Sequence, residues 1–482
     1  MQITPRHIAS NTVWYMTALT LQKVISFVYF TILARYLKPE GIGDYAFATS
    51  FVLIFAVFAD LGMSAIVTRE IAKQDDNGEK LFNQVISFKL LTSLLTVIAL
   101  IIISPLLVHD TTTLILIAVA SVAMVLDGFT LLFYSGIRGK QNLGYESVAT
   151  MIHQAIILAL GFILIKLQYP IEILILALVG GSTFNFIYSF WVARRKMGFT
   201  LHWQWDQKLL RHLWTMIIPF ALTAIFTRLY AYTDSVLLRL IRGSTELGYY
   251  SVAYKITFAF QFIPLAIIAS LYPAFAYYWN HSKTDLASTF TRSVQYLLLI
   301  SLPLSFGLIA MAPYLIPKLY TASFSPAIVP LQILIFTLPF LFLNFPFGSL
   351  LNAINQQKSQ TFIVASGLVW NVIVNLLLIP KYGASGAAVA STSSTILVFI
   401  LSLWVINSHL AYERLKTLII AVKALIMALG MAFLVYWLAG VVNMYLAILM
   451  AGLAYVLAIW LVGLLKISDI RQLLTSVRQQ SE

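Results

Sequence analysis

Long apolar runs constrain the fold of this chain more than any other feature of its sequence. Runs of about 19 or more apolar residues recur about fourteen times, and a helix needs about 20 such residues to cross a bilayer. Strands of a membrane barrel would instead alternate apolar and polar residues. The runs therefore predict an all-α polytopic membrane protein with about 14 transmembrane helices, called crossings 1–14 below. The predicted crossings are 11–34, 45–67, 85–103, 114–137, 148–166, 172–192, 213–237, 248–272, 293–312, 327–351, 361–379, 386–406, 418–437 and 445–465.

Composition excludes several classes of protein. Of the 482 residues, 60% are hydrophobic and only 10% are charged, whereas about a quarter of a soluble domain is charged. A soluble protein of this size has no interior large enough for so much apolar surface, which excludes a soluble enzyme, a disordered chain and a nucleic-acid partner. The chain has no cysteine, and it has no nucleotide-binding or hydrolase motif. We expect no enzymatic activity and no cofactor beyond a coupling Na⁺ or H⁺.

The positive charges indicate the orientation of the chain. Lys and Arg concentrate in the cytoplasmic loops of membrane proteins. With the N-terminus inside, seven of the 31 Lys and Arg fall in outer segments, five fall within crossings, and the rest are inside. The outer seven are Arg35, Lys38, Lys166, Arg239, Arg242, Lys318 and Lys381, and the intramembrane five are Lys23, Lys89, Arg228, Lys255 and Lys423. This bias of about three to one predicts a multi-pass protein of the cytoplasmic (inner) membrane with both termini in the cytoplasm.

A repeat and a linker predict how the crossings are grouped. Residues 43–48 and 248–253 both read G-x-Y-x-x-A and open crossings 2 and 8, although so short a repeat can also arise by chance. Between crossings 6 and 7, three consecutive cations precede Trp203 and Trp205, which is typical of a segment lying along the inner membrane face. We predict an N-terminal six-helix bundle at 1–199, a cytoplasmic interfacial linker at 200–212, a C-terminal six-helix bundle at 213–406, and crossings 13 and 14 with a cytoplasmic tail at 407–482. Internal repeats of this kind are common in secondary transporters.

Charges within the crossings are candidates for function, because each costs at least a few kcal/mol unless it faces water or a partner. Lys23, Arg228 and Lys255 fall on crossings 1, 7 and 8, and a cavity lined by them would attract an anionic headgroup. The alternative is that each pairs with an intramembrane carboxylate, and the candidates for that are Asp60, Asp127 and Asp234. Lys89 and Lys423 lie about one turn from helix ends, so we expect them to snorkel to the interface.

Oxygen-bearing side chains indicate a possible coupling-ion site. Asp234 lies on crossing 7, Asn371 and Asn375 share one face of crossing 11, and Thr395 lies on crossing 12. A carboxylate, amides and a hydroxyl can coordinate a small hard cation such as Na⁺. Interhelical hydrogen bonding is the alternative explanation for the same residues.

Several helix junctions resemble those of a known family. They are residues 33–37 with 39–45, 60–64, 69–72, Asp234 with 248–250, and 378–388. Their order and spacing resemble the polysaccharide transporter (Wzx-type) branch of the multidrug/oligosaccharidyl-lipid/polysaccharide exporter superfamily, which also holds the lipid II flippase. The resemblance implies two six-helix bundles in a V shape around a central cavity. It also implies that an undecaprenyl-diphosphate-linked oligosaccharide moves from the inner to the outer leaflet by alternating access, for surface polysaccharide biosynthesis.

The resemblance also implies roles for individual residues. Cavity arginines on helices 1, 2 and 8 of the lipid II flippase meet the diphosphate. Here helix 1 offers Lys23 and helix 8 offers Lys255, whereas helix 2 offers only Arg69, at its inner end. Lysine is a point charge and lacks the fork of arginine, so the headgroup geometry differs. The Na⁺ site of the same relative lies between helices 7, 11 and 12, which here implicates Asp234, Asn375 and Thr395. Crossings 13 and 14 resemble the extra pair that holds the lipid tail.

Two other functions are compatible with parts of the sequence. A multidrug or metabolite exporter of the same fold is one alternative. An acidic cavity would favour cationic drugs, whereas the cationic cavity expected here favours an anionic headgroup. A membrane-embedded glycan polymerase or ligase is the other, although the longest predicted outer loop, 313–326, carries only Lys318 as a charge. The partners we expect are a polyprenyl-diphosphate-linked oligosaccharide, the lipid bilayer and other polysaccharide assembly proteins.

Overall fold

The computed structural model describes residues 5–73, 77–200 and 202–464, and these residues form helices joined by short connections, without any strand. The helices are α1 Pro5–Asp60, α2 Met63–Ala72, α3 Asn77–Leu107, α4 Thr111–Gly139, α5 Gly144–Lys166, α6 Ile171–Leu174, α7 Leu176–Trp191, α8 Gln207–Arg242, α9 Ser244–Ala259, α10 Phe262–His281, α11 Lys283–Leu319, α12 Ile328–Phe336, α13 Leu338–Ala353, α14 Gln357–His409, α15 Arg414–Ala439 and α16 Met444–Leu461. A π-helical turn, Val192–Lys196, follows α7, and a 3₁₀ turn, Ala322–Ala327, precedes α12.

The predicted number of crossings is confirmed. Within the described ranges, 12 helical stretches are long and apolar enough to span a membrane. Two of them, in α1 and in α14, are broken by a single non-helical residue, at Lys38 and at Gly383. Each of these two stretches therefore supplies two crossings, and the chain forms an all-α polytopic membrane protein with fourteen crossings.

The loops predicted at two junctions are wrong. The sequence predicts breaks of several residues between crossings 1 and 2 and between crossings 11 and 12, yet the helix is interrupted at only one position in each. Lys38 turns with φ 60° and ψ −179° before Pro39, which disfavours a helical residue in front of it. Gly383 turns with φ 53° and ψ −128°, a conformation open mainly to glycine.

The chain divides into two compact units, 1–248 and 249–482, with the boundary inside α9. α8 packs against α1 within the first unit. The predicted homology between bundles 1–199 and 213–406 is a separate matter and stays a prediction. The orientation of the termini also stays a prediction, and three of the cations counted as inside, Lys466, Arg471 and Arg478, lie outside the described residues.

The segment after the π-helical turn is fastened along α3. Backbone N–H groups of alternate residues donate to side chains of α3 at 2.7–3.2 Å. The pairs are Thr200 with Glu79, His202 with Asn83, Gln204 with Ser87, and Asp206 with Gln84. Trp203 and Trp205 lie between these donors, are exposed, and stack with ring centroids 6.1 Å apart. An extended segment bound along one side and apolar on the other suits the interfacial position that the sequence predicts.

Candidate functional site

The three cations proposed for a cavity differ in their surroundings. Lys23 and Arg228, both in the first unit, have exposed side chains, and neither forms a hydrogen bond or ion pair within the described part of the chain. Lys255 is half-buried on α9 in the second unit. Arg69 has a 57% exposed side chain and bonds Glu70 at 3.1 Å. The structure thus leaves Lys23 and Arg228 available to an anion, whereas the charge of Arg69 is already shared with a carboxylate.

One buried ion pair neutralises a carboxylate that the sequence offers as a partner for the cavity cations. Lys89 of α3 is fully buried and bonds Asp60 at the end of α1. Ser64 also donates to Asp60, at 2.5 Å, and Gly128 of α4 lies beside the end of the lysine side chain. The expectation that Lys89 snorkels to the interface is therefore wrong, because its ammonium lies inside the helix bundle beside a carboxylate.

The second carboxylate, Asp127 of α4, has a different environment. Its neighbour is the Ser182 hydroxyl of α7. Neither Lys23 nor Arg228 is its partner among the described residues. Asp60 is thus neutralised by Lys89, Asp127 lies beside Ser182, and neither carboxylate pairs with Lys23 or Arg228 in the described part of the chain.

The first glycines of the two repeated motifs, Gly43 and Gly248, pack closely within the first unit. The carbonyl oxygen of Ser244 lies where a side chain on Gly43 would begin, and that of Pro39 lies in the same way against Gly248. Asp44 joins this contact, because its carboxylate accepts from the Ser244 hydroxyl, from Arg239 Nε at 3.3 Å and from Thr113 Oγ1 at 3.3 Å. We call Asp44, Arg239 and Ser244 the junction cluster. It links the start of crossing 2 to the end of crossing 7 and the start of crossing 8.

The polar side chains of α14 converge because the helix folds back at Gly383. Asn375 donates to Asn371 at 2.9 Å, and Asn371 donates to Ser394 at 3.4 Å. Thr395 is buried and donates to the Ser391 carbonyl at 2.9 Å. Asn371 and Asn375 therefore lie in one buried, hydrogen-bonded cluster with Ser394 in the second unit, and Thr395 is buried on the same helix. Asp234, the fourth proposed ion ligand, is buried on α8 and belongs to the first unit.

An apolar cavity of about 480 Å³ lies between α10, α11, α15 and α16. Its walls are aliphatic side chains, two glycines and Tyr455. The Tyr455 hydroxyl is already used, because it donates to the Leu299 carbonyl at 3.0 Å. A cavity of this lining can take a hydrocarbon chain and offers no polar anchor.

Sequence reasoning missed two features of the site. The only sequence signal for the junction cluster is the repeated motif, which includes Asp44 but neither Arg239 nor Ser244. The pairing of Lys89 with Asp60 joins residues 29 positions apart in the sequence, on two different crossings. No local pattern marks either relationship, since both depend on how the crossings pack.

Comparison with known families gives one match over more than half of the chain. Residues 8–279 match the family described as "Polysaccharide biosynthesis protein", and residues 219–377 match the MatE family.

Three curated relatives are 22–26% identical to the chain over the matched residues. An uncharacterized membrane protein of Methanocaldococcus jannaschii is 26% identical over 44% of this chain, and that match spans only 42% of the relative's own length. The "Probable low-salt glycan biosynthesis flippase Agl15" of Haloferax volcanii is 22% identical over 77% of each chain. A Shigella flexneri protein named as an O-antigen transporter is 23% identical to this chain. The match covers 82% of this chain and 97% of the Shigella protein.

Solved structures show the same fold. The lipid II flippase MurJ in an inward closed conformation superposes with a TM-score of 0.76, covering 92% of this chain and 98% of the flippase at 16% identity. An inward-facing multidrug resistance transporter of the MATE family gives a TM-score of 0.66, covering 83% of this chain and 98% of its own at 14% identity. At these identities the likeness concerns the fold alone.

Proposed function

The chain belongs to the polysaccharide biosynthesis protein family, and on that premise we propose that it moves a polyprenyl-diphosphate-linked oligosaccharide from the inner to the outer leaflet. The family is the polysaccharide transporter branch of its superfamily. In bacteria the proposed carrier is the undecaprenyl form. Membrane transport of the flippase type is supported by the relatives named as a flippase and as an O-antigen transporter. The lipid-linked substrate, the direction and alternating access are the parts that we propose.

The observation that carries the proposal is the balance of charge within the crossings of the first unit. Lys23 and Arg228 are exposed without a carboxylate partner in the described part of the chain, while Asp60 is neutralised by Lys89. Charged groups at membrane depth are costly, so unneutralised cations suit a wet cavity that receives an anion. A diphosphate supplies two or more negative charges and several acceptor oxygens for such cations.

The apolar cavity between α10, α11, α15 and α16 supports the lipid part of the substrate. A sugar diphosphate cannot cross hydrocarbon unless protein groups replace its hydration. A polyprenyl chain is apolar, so it is stable in lipid or in an apolar cavity such as this one. We propose that the headgroup travels past the intramembrane cations while the tail stays among apolar side chains and lipid.

The alternative functions receive less support. A drug exporter of the same fold is compatible with the MatE match and with the multidrug transporter structure. Cationic drugs would nevertheless meet Lys23 and Arg228 with like charge. A polymerase or ligase needs an outer catalytic loop, and the connection after α11 is only the short turn Ala322–Ala327.

We also propose that a cation, Na⁺ or H⁺, couples transport. The buried side chains of Asn371, Asn375 and Thr395 supply amide and hydroxyl oxygens of the kind that bind Na⁺. Their hydrogen bonds would have to rearrange around an ion. Asp234 is the carboxylate that the sequence assigns to the same ion, and its contribution is open to a separate test.

The proposal is tested by reconstituting the full chain in liposomes with a fluorescent polyprenyl-diphosphate oligosaccharide and measuring how fast the label moves between leaflets. Lys23→Ala, Arg228→Ala and Lys255→Ala should each slow transfer about tenfold or more, because a charge-assisted hydrogen bond to phosphate is lost. Lys23→Arg should retain most of the rate. Lys358→Ala, at an exposed lysine outside the crossings, is the matched control.

Three results would overturn the proposal: no transfer by the wild type above protein-free liposomes, equal rates in the Lys23→Ala and Arg228→Ala variants and the wild type, or transport of a cationic dye that these two variants accelerate. The last result would favour the exporter. Each variant is first checked for folding by its elution as a single species in detergent.

A further inference from the structure

A second, larger cavity lies at one end of the second unit. It measures about 830 Å³ and is enclosed by the first part of α11, the first turns of α15 and the residues that follow α16. The connections between crossings 8 and 9 and between crossings 12 and 13 lie at this end, which the bias of Lys and Arg predicts to be cytoplasmic. This cavity is separate from the apolar cavity, since the two share no lining residue.

Four cations from two helices line this cavity: Arg292, Arg414, Lys416 and Lys423. The carboxylate among the lining residues is Glu413, which bonds Lys416 at 2.7 Å. Both side chains of that pair are more than 60% exposed, so the pair is solvated and weak. The cavity therefore carries a clear cationic excess.

The remaining cations are held without acidic partners. Arg414 donates to the Asn407 carbonyl at 2.9 Å and lies over the ring of Tyr412, so its guanidinium is oriented while its charge stays unneutralised. Neither Arg292 nor Lys423 has an ion pair within the described residues. Lys423 lies about two turns deeper along α15 than Lys416, so the charges follow the cavity wall rather than forming one exposed cluster.

A buried amide donor without a hydrogen-bond partner in the described part of the chain lies in the wall of the cavity. Gln295 lines the cavity one turn from Arg292, and its Nε2 is buried with no hydrogen-bond partner among the described residues. A buried amide donor without a partner costs free energy, so it marks a position where an acceptor belongs. Guanidinium, ammonium and amide donors around one space match a group with several acceptor oxygens and negative charge, which is a phosphate.

The other half of the wall is apolar and indicates what carries the phosphate. Leu299, Ile419 and Ile420 line the deeper side of the cavity, and the adjoining face of α15 exposes Leu418 and Val422. In a membrane such exposed aliphatic side chains face acyl chains. Basic pockets between transmembrane helices at the cytoplasmic side are suited to anionic lipid headgroups.

We propose that this cavity is a binding site for the phosphate of an anionic lipid headgroup in the inner leaflet, with Arg292, Arg414, Lys423 and Gln295 as its donors. The chemistry is that of a lipid-borne phosphate, and a membrane phospholipid and a polyprenyl phosphate are its two possible sources. The site includes neither Lys23 nor Arg228, and it is independent of whether those residues meet a transported substrate.

The test measures lipid binding by the purified full chain. Native mass spectrometry and the thermal-unfolding midpoint are recorded with dioleoyl phosphatidylglycerol, with dioleoyl phosphatidylcholine, with polyprenyl monophosphate and with inorganic phosphate. The wild type should bind an anionic lipid at least about tenfold more tightly than phosphatidylcholine, since several basic residues of the cavity attract an anionic headgroup. The combined variant Arg292→Gln with Arg414→Gln should lose this preference.

Gln295→Leu separates a specific site from a general surface charge. It leaves every cation in place and removes the orphaned donor, so it should weaken anionic lipid binding several-fold while leaving the unfolding midpoint without lipid unchanged or higher. Lys358→Gln, at an exposed lysine on α14 that does not line the cavity, should bind lipid as the wild type does.

Preference for phosphatidylglycerol would identify a membrane phospholipid as the ligand, and preference for polyprenyl monophosphate would identify the carrier lipid. The proposal is overturned if phosphatidylcholine binds equally, if inorganic phosphate alone reproduces the shift, or if Gln295→Leu and the double arginine variant both bind as the wild type does. Unchanged elution of these variants in detergent confirms that they are folded.

Discussion

The carbonyl oxygen of Ser244 lies only 1.8 Å from the position that a Cβ atom on Gly43 would occupy. The reciprocal contact is equally tight, because a Cβ on Gly248 would lie 1.9 Å from the Pro39 carbonyl oxygen. The first residue of each repeated G-x-Y-x-x-A motif thus lies against the backbone beside the other. The repeat is therefore more than a similarity of sequence, since its two glycines allow the two junctions to pack on each other.

Substituting either glycine should break this contact. Gly43→Ala or Gly248→Ala places a methyl group inside a carbonyl oxygen, so the helices must separate, at a cost of about 1–3 kcal/mol that outweighs the better helix propensity of alanine. The thermal-unfolding midpoint and the rate of lipid transfer should both fall. Gly430→Ala is the control, because no atom lies within 4 Å of its added Cβ. A midpoint equal to the wild type in both junction variants would contradict the described packing.

The buried pair of Lys89 with Asp60 should be structural. Lys89→Met alone leaves a carboxylate without its cation and should destabilise the protein by about 3–5 kcal/mol. The double variant Lys89→Met with Asp60→Leu should recover most of that loss, because a buried ion pair can often be replaced by apolar side chains. Calorimetry or fluorescence-monitored unfolding in detergent measures both effects.

Lys73→Met serves as the control for that pair, since Lys73 bonds Glu70 with a 51% exposed side chain and should change stability by less than about 1 kcal/mol. A folded double variant that transports the glycan lipid supports a structural role. A folded double variant without transport would instead place Lys89 or Asp60 in the transport path, and an unaltered midpoint for Lys89→Met would refute the burial of the pair.

Coupling to a cation should depend on Asp234. Asp234→Asn removes the carboxylate charge and keeps the size of a buried side chain, so any stimulation of transfer by a Na⁺ gradient should weaken. The measurement compares transfer rates in liposomes with and without the gradient. Asn375→Ala should have the same effect if both residues serve one ion. Equal stimulation of the transfer rate by Na⁺ in the wild type and in Asp234→Asn would show that Asp234 is structural.

The hydrogen bonds that fasten residues 200–206 to α3 should protect that segment from proteolysis. Combining Asn83→Ala with Gln84→Ala removes two of the acceptors, those of the His202 and Asp206 amides. Trypsin should then cleave faster at the cations that flank the segment, which a gel band of about half the mass would reveal. Asn280→Ala is the control, because Asn280 is exposed and bonds only within its own helix. Equal cleavage rates would show that these bonds do not hold the segment.

The amino-acid sequence alone determined the number of crossings and the class of fold. Transfer of an apolar helix into lipid is a local property of about 20 consecutive residues, so it can be read directly from the chain. The resemblance at the helix junctions indicated the family in the same way, because a junction residue such as Gly383 is required by local backbone geometry.

Only the tertiary structure decided which charged and polar residues meet. Lys89 lies about one turn from a helix end, which made snorkelling the better prediction, yet packing places it beside Asp60. Arg292 and Gln295 carry no motif at all, and they line a cationic cavity only because α11 packs against α15. The physical reason is the range of the forces: hydropathy acts residue by residue along the chain, whereas a salt bridge, a backbone contact or a binding cavity requires segments distant in sequence to meet within a few ångströms.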